Sequence, residues 1–133
     1  MDIVVDANVL FSLFIKQGVT AEILLNSDYR FFAPEFVFEE YEEHKLEILR
    51  KTKRTMRELA DIIDIVKTLV TIVPAEDFNW FLDEARRLSP DSDDVHYFAL
   101  ALKLKCVLWT NDKALARQST VLIVTTTELL GRN

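Results

Sequence analysis

Apolar residues in this chain fall into two patterns, short unbroken runs and longer stretches with helical spacing. The runs Ile3–Val5, Arg30–Ala33, Val70–Val73, Cys106–Trp109 and Val121–Val124 have the length and the β-branched or aromatic content of buried strands. Between them the spacing predicts helices over Asn8–Lys16, Thr20–Asn26, Pro34 to about Arg50, Met56–Thr68, Glu76–Leu88 and Asp94–Lys105. A last short helix is capped by Thr126 or Thr127 and ends at Gly131. Pro34 is placed near the first turn of its helix, whose stripe Val37, Tyr41, His44 and Ile48 follows i, i+4, i+7, i+11 spacing. Leu59, Ile62, Ile63 and Val66 share one face of the next helix, and Phe78, Phe81, Leu82 and Ala85 one face of the one after. Asp94–Lys105 is apolar on nearly all sides, which predicts a central buried helix with a polar N-terminus projecting from the core. Strands alternating with helices imply parallel pairing through right-handed crossovers, an α/β architecture. No linker, repeat or low-complexity tract interrupts residues 1–133, so a single domain is expected.

Composition narrows the class. No apolar run approaches the roughly 20 residues that span a bilayer, so no membrane role is expected. The N-terminus carries Asp2 and Asp6 and no basic region, unlike a signal peptide. The single cysteine, Cys106, allows no internal disulfide and sits in an apolar run as a buried thiol. A cytoplasmic location follows as the expectation. The net charge of −6 argues against a passive nucleic-acid coat. The charge is uneven, though: Lys45, Arg50, Lys51, Lys53, Arg54 and Arg57 are opposed only by Glu47, so that segment is +5 and the remainder −11. Such a strip suits phosphate-backbone contact, or equally a solvated helix end and turn.

Candidate chemistry lies in the acids. Asp6 closes the first apolar run, Asp112 follows the run that ends at Trp109, and Asp94 opens the most apolar helix. In a parallel α/β sheet, strand C-termini and the loops beyond them form the usual active-site edge. Carboxylates brought together there repel unless they share protons or hold a cation, and hard divalent metals prefer oxygen ligands. Each residue has a plainer reading as well. Asp6 suits a turn or a helix cap, Asn8 a cap, and Asp94 an N-cap in competition with Asp91, Ser92 and Asp93. Thr110, Asn111 and Asp112 have turn composition, although Thr110 and Asn111 also suit donation to an oxyanion or a carboxylate. Glu40, Glu43 and Glu47 share a face at i, i+3, i+7 spacing, which by itself does not choose among them. His44 reads as a surface or half-buried histidine, and His96 lies early in the central helix. Trp80 and Trp109 read as core or half-buried aromatics. Two glycines exclude a glycine-rich phosphate loop or dinucleotide fingerprint, and neither a zinc-type Cys/His cluster nor a Gly-x-Ser-x-Gly elbow is present.

Taken in order, these residues resemble PIN-domain nucleases, including the toxin subunits of VapC-type toxin–antitoxin pairs, over essentially the full length. Ile3-Val4-Val5-Asp6-Ala7-Asn8-Val9-Leu10 looks like the family's first motif. Pro34-Glu35-Phe36-Val37-Phe38-Glu39-Glu40-Tyr41 resembles the second, Asp94 with Ala99-Leu100-Ala101-Leu102 the third, and Thr110-Asn111-Asp112-Lys113 the fourth. The resemblance implies a three-layer α/β/α fold with a parallel sheet of about five strands in the order 3-2-1-4-5, so that Asp6 and Asp112 sit on adjacent strand ends beside the topological switch. It assigns Asp6, Glu40, Asp94 and Asp112 as the catalytic, metal-binding acids, with Mg²⁺ or Mn²⁺ as cofactor. Asp91 and Asp93 are alternatives to Asp94, and Glu43 is a helper to Glu40. Asn8, Asp93, Thr110 and Asn111 support the site, and Lys45, Arg50, Lys51, Lys53, Arg54 and Arg57 guide the RNA backbone. The Glu43-His44-Lys45 stretch points to a more divergent PIN branch than the toxins. The implied function is hydrolysis of RNA phosphodiester bonds, with RNA as substrate, an antitoxin protein as partner, and a homodimer as the assembly.

Two other functions compete. A haloacid-dehalogenase-type phosphatase also starts with a strand-end aspartate, but Asn8 stands where its second acid belongs. A receiver domain fails because Val73-Pro74-Ala75-Glu76 lacks a phosphoacceptor aspartate. A non-catalytic RNA- or partner-binding PIN scaffold is the remaining alternative, and the presence of all four acids counts against it.

Overall fold

The structure is a computed structural model that describes residues 1–15, 18–26 and 28–131. Its centre is a parallel sheet of five strands: β1 (Asp2–Val5), β2 (Arg30–Pro34), β3 (Val70–Val73), β4 (Val107–Trp109) and β5 (Ile123–Val124), in the order β3-β2-β1-β4-β5. β1 is the middle strand, and Ile3, Val4 and Val5 are all fully buried. An unbroken apolar run is what a strand covered on both faces requires. In register, Val5 faces Trp109 on β4 and Val4 faces Phe32 on β2.

Helices lie on both faces. α1 (Ala7–Ile15), α2 (Val19–Leu24), α3 (Phe36–Thr52) and α4 (Met56–Leu69) belong to the crossovers that build β1-β2-β3, and α1 packs on α2, α3 and α4. α5 (Leu82–Leu88) and α6 (Val95–Leu104) belong to the return crossover to β4, and α6 packs on β1, β2, β4 and α5. Right-handed crossovers that run in opposite directions from β1 place their helices on opposite faces. α6 buries Val95, Tyr97, Phe98, Ala99, Leu100 and Ala101, as its sequence predicts. α7 (Thr126–Gly131) is capped one residue earlier than predicted, by Thr125, whose Oγ1 accepts from Glu128 N–H at 3.2 Å. Among the described residues, no helix is long and apolar enough to cross a membrane.

Several predicted boundaries shift, each for a local reason. Pro34 ends β2, opposite Val73, and does not open α3. The pairing runs one residue further through Glu35, whose N–H donates to Val73 O at 2.9 Å. Glu76–Leu88 is not one helix but two 3₁₀ turns, Ala75–Asp77 and Asn79–Phe81, followed by α5. Between the turns Phe78 leaves helical geometry (φ −142°, ψ 8°) and is fully buried, edge-on to His96. The strand predicted from Val121 is reduced to Ile123–Val124 because the Gln118 side chain takes both the N–H and the C=O of Val121. Trp80 is 60% exposed, with Lys103 Nζ over its ring, so it is not a core residue. Lys16, the predicted end of α1, lies outside the described residues.

Candidate active site

The sheet order puts the ends of β1 and β4 side by side. Asp6 follows β1 and donates its N–H to Trp109 O at 3.1 Å, continuing the ladder. Its side chain is 4% exposed. Asp6 Oδ1 accepts from Val9 N–H at 2.8 Å, so the residue does cap α1. Thr110, just beyond β4 and fully buried, donates its hydroxyl to the Asp6 carboxylate. The same Thr110 oxygen accepts the Asp112 N–H at 3.1 Å. One hydroxyl thereby sets the spacing of both strand-end aspartates. Asp112 Oδ1 caps a 3₁₀ turn, Lys113–Arg117, by accepting from Ala114 N–H at 3.0 Å. That turn is not visible as a hydrophobic pattern; an aspartate ahead of Lys-Ala-Leu is its one sequence cue.

Asp94 stands at the N-terminus of α6, behind a 3₁₀ turn over Ser92–Asp94. The capping reading fails for it, since its side chain makes no capping hydrogen bond. Asp91 caps the turn instead, accepting from Asp93 N–H at 2.9 Å. Glu40 comes from α3, where buried Tyr97 of α6 donates to its Oε1 at 2.5 Å.

Asp6, Glu40, Asp94 and Asp112 line one cleft of about 220 Å³ at the C-terminal edge of the sheet, together with Ala7, Asn8, His44, Asp91 and Asp93. Glu43 is exposed and outside the cleft. Asn111 points elsewhere: its amide donates to Thr126 Oγ1 at 3.0 Å and its carbonyl accepts Thr126 N–H at 2.9 Å, tying β4 to α7. His96 also lies away from the cleft, stacked on Phe36 with centroids 4.1 Å apart. His44, read from the sequence as part of an apolar stripe, faces the acids. Its place four residues after Glu40 was the available cue, along with Glu40 itself.

Burial and like charge raise the proton affinity of these acids. Burial pushes Asp6 up, opposed by the bonds from Thr110 and Val9. Burial raises Glu40 as well, opposed by Tyr97. Asp94 is pushed up to about 7 by burial and then by the charges of Asp6, Asp91, Asp112 and Glu40. An all-carboxylate donor set with this much mutual repulsion suits a hard divalent cation. As the side chains stand, no group of three or more Asp, Glu, His or Cys among the described residues is arranged to hold a metal ion. The donor chemistry therefore fits such an ion.

The predicted basic strip runs down α3 to the start of α4, and part of it is paired. Lys51 bonds Glu47 at 2.7 Å, Arg54 reaches Glu58 at 3.5 Å and Phe14 O at 2.5 Å, and Lys45 stands 3.9 Å from Glu42. Cys106 is half-buried and its thiol is pushed up to about 11 by burial, which makes it a poor nucleophile.

Comparison with solved structures finds the same fold at low identity. VapBC2 from Rickettsia felis, bound to a DNA fragment from its promoter, is similar with a TM-score of 0.72 and 15% identity, over 94% of this chain and 98% of that one. PAE2754 from Pyrobaculum aerophilum gives 0.70 and 17%, over 99% and 88%. VapBC-1 from nontypeable Haemophilus influenzae gives 0.69 and 17%, over 96% and 99%. No curated protein matches the chain. The PIN-domain family pattern matches residues 4–130, a span that includes all six cleft acids and every strand of the sheet except the first residues of β1. The chain belongs to the PIN-domain family.

Proposed function

We propose that this PIN domain is a divalent-metal-dependent ribonuclease and the toxin subunit of a type II toxin–antitoxin pair. One observation carries the reading: Asp6, Glu40, Asp94 and Asp112, supplied by four separate parts of a PIN-family chain, line a single cleft. PIN domains are generally nucleases, and two of the similar structures are VapBC toxin–antitoxin proteins.

Asp6, Glu40, Asp94 and Asp112 would hold Mg²⁺ or Mn²⁺, which when bound supplies positive charge and Lewis acidity toward phosphate oxygens and water. The chain's own residues supply the order. Thr110 and the α1 N-terminus fix Asp6, Tyr97 fixes Glu40, and the Lys113–Arg117 turn fixes Asp112. In hydrolysis a water oxygen bonds to phosphorus as the ester P–O bond breaks. The water's proton passes to a cleft carboxylate, and the leaving oxygen takes a proton from solvent. No covalent enzyme intermediate is needed. The basic strip from Lys45 to Arg57 guides the backbone.

The test is cleavage of single-stranded RNA in Mg²⁺ or Mn²⁺ by wild type, against variants of the cleft acids. A second reading, a non-catalytic RNA- or partner-binding scaffold, draws on the lack, among the described residues, of three acids already arranged around one ion. RNA binding without cutting would decide for it. A small upstream reading frame encoding a DNA-binding protein would favour the toxin assignment.

A further inference from the structure

The cleft holds one side chain that an acidic metal site does not explain. His44 lies one helical turn beyond Glu40 on α3, about 6 Å along the axis, and its imidazole lines the cleft beside Asp6, Asn8 and Glu40. Its side chain is 51% exposed, so the ring is open to a ligand. Phe11 packs edge-on against it at 6.4 Å, and Nδ1 stands 3.7 Å from Glu47 Oε2. Glu47 in turn accepts from Lys51 Nζ at 2.7 Å. Glu40, His44, Glu47 and Lys51 therefore follow one another down one face of α3 at i, i+4, i+7, i+11 spacing.

Charge gives this row its meaning. The other ionisable residues lining the cleft are all acids, a wall that repels a polyanion. A cation in the cleft would offset that repulsion for the reacting phosphate but not for its neighbour along the strand. Asn8 offers that neighbour an amide; among the described lining residues His44 alone offers an N–H that can also carry positive charge. With Nδ1 facing Glu47, Nε2 on the far side of the ring is the nitrogen left for a ligand. One helical turn is close to the spacing of successive phosphates on a strand. An N–H there can donate to a phosphate oxygen, and hydrogen bonds to charged groups are strong and directional.

We propose that His44 is a substrate-binding residue whose Nε2–H donates to the phosphate next to the scissile one, at the point where α3 leads the strand from the acidic cleft to the basic helix end. The inference rests on the ribonuclease reading and deepens it.

Wild type, His44→Ala and His44→Lys are compared on a 5′-labelled single-stranded oligoribonucleotide in Mg²⁺. Fluorescence anisotropy reads Kd, a gel reads kcat/KM, and circular-dichroism melts check folding. His44→Ala weakens binding and lowers kcat/KM by about tenfold or more, the scale of one hydrogen bond to a charged group. His44→Lys regains most of the affinity, because it restores a cationic donor on the same helical turn. Unchanged Kd and kcat/KM in His44→Ala overturn the proposal. Equal loss in both variants also overturns it, since that marks packing against Phe11. If wild type binds this RNA without cutting it, the ribonuclease reading fails while the Kd comparison still decides on His44. Wild type that neither binds nor cuts overturns both.

Discussion

Tyr97 donates to Glu40 across 57 residues of sequence, joining the buried central helix to the helix that carries the second acid motif. Tyr97 is 1% exposed, so its hydroxyl reaches the cleft through the core and has no alternative partner in water. The bond favours the ionised carboxylate of Glu40 against the burial that raises it. A carboxylate held this way is oriented before substrate arrives.

Removing that hydroxyl tests the orientation. Tyr97→Phe keeps the ring in the core and costs about 1 kcal/mol of stability, the usual net value of one hydrogen bond. It should lower kcat/KM on RNA about tenfold and push Glu40 further up in a carbon-detected NMR titration. Unchanged cleavage would mean that Glu40 is placed by the α3 backbone alone.

Asp6→Asn and Asp94→Asn should each lower RNA cleavage by about 100-fold or more, because several kcal/mol of charge stabilisation depend on the acid set. Asparagine caps a helix as well as aspartate does, so Asp6→Asn should stay folded, with a melting temperature no lower than wild type. Calorimetric Mn²⁺ binding should disappear in the Asp6→Asn, Asp112→Asn double variant. Metal binding that survives there would move the site elsewhere.

The acids also set a pH dependence in metal-free protein. Asp6, Glu40 and Asp94 have folded-state values above their ordinary ones, Asp94 at about 7. Groups raised in this way bind more protons folded than unfolded. Their contribution to stability is full below about pH 4 and is lost as pH rises through each group's folded-state value, for Asp94 about 7. His96, held down by burial, works in the opposite sense, and its contribution falls away as pH drops. Wild type should therefore melt lower at about pH 8 than at about pH 5, with added Mn²⁺ closing the gap. Asp94→Asn should raise the melt at the higher pH and leave the lower one nearly unchanged. A melting curve indifferent to both Mn²⁺ and Asp94 would show that these carboxylates do not share a field.

Lys105 ends α6 in the left-handed region at φ 54°, ψ 47°, where a Cβ is unfavourable. Lys105→Gly should stabilise the fold by about 1 kcal/mol, raising the melting temperature by about 2–5 °C, with cleavage unaltered. No gain in a thermal melt would show that the strain is absorbed by the turn.

The homodimer implied by the family resemblance has candidate contacts in Met56, Ile65 and Trp80, which are 50%, 49% and 60% exposed on α4 and the turn before α5. Light scattering over a concentration series should give twice the monomer mass. Monomer mass throughout would leave these residues as isolated surface apolars.

Much of this was written along the chain. Ile3-Val4-Val5 reads as a doubly covered strand because no polar residue interrupts it, and Val95–Leu104 reads as a central helix because no face is polar. Such patterns are local consequences of burial and survive without tertiary knowledge. The acids were legible for a related reason: polar residues at the ends of apolar elements have few structural explanations. Asp6 nonetheless serves as both cap and cleft acid, and nothing short of geometry separates these roles.

The remainder was decided by packing between elements distant in sequence. Periodicity assigns His44 to the Val37–Ile48 stripe, and the packing of α3 on α1 brings it beside Asp6. Asn111 reads from the sequence as a turn residue or an oxyanion donor, and α7 supplies Thr126 as its actual partner. Phe78 broke a regular helical pattern because a fully buried ring gains more from the core beside His96 than one turn of helix loses. The sequence by itself determined the cores of the strands and the central helix, since each follows from solvation within a few residues, and it put Asp6, Asp94 and Asp112 at the ends of apolar elements. Which side chains meet in the cleft was left to the sheet order and the helix packing, because convergence depends on distances through space that no local pattern encodes.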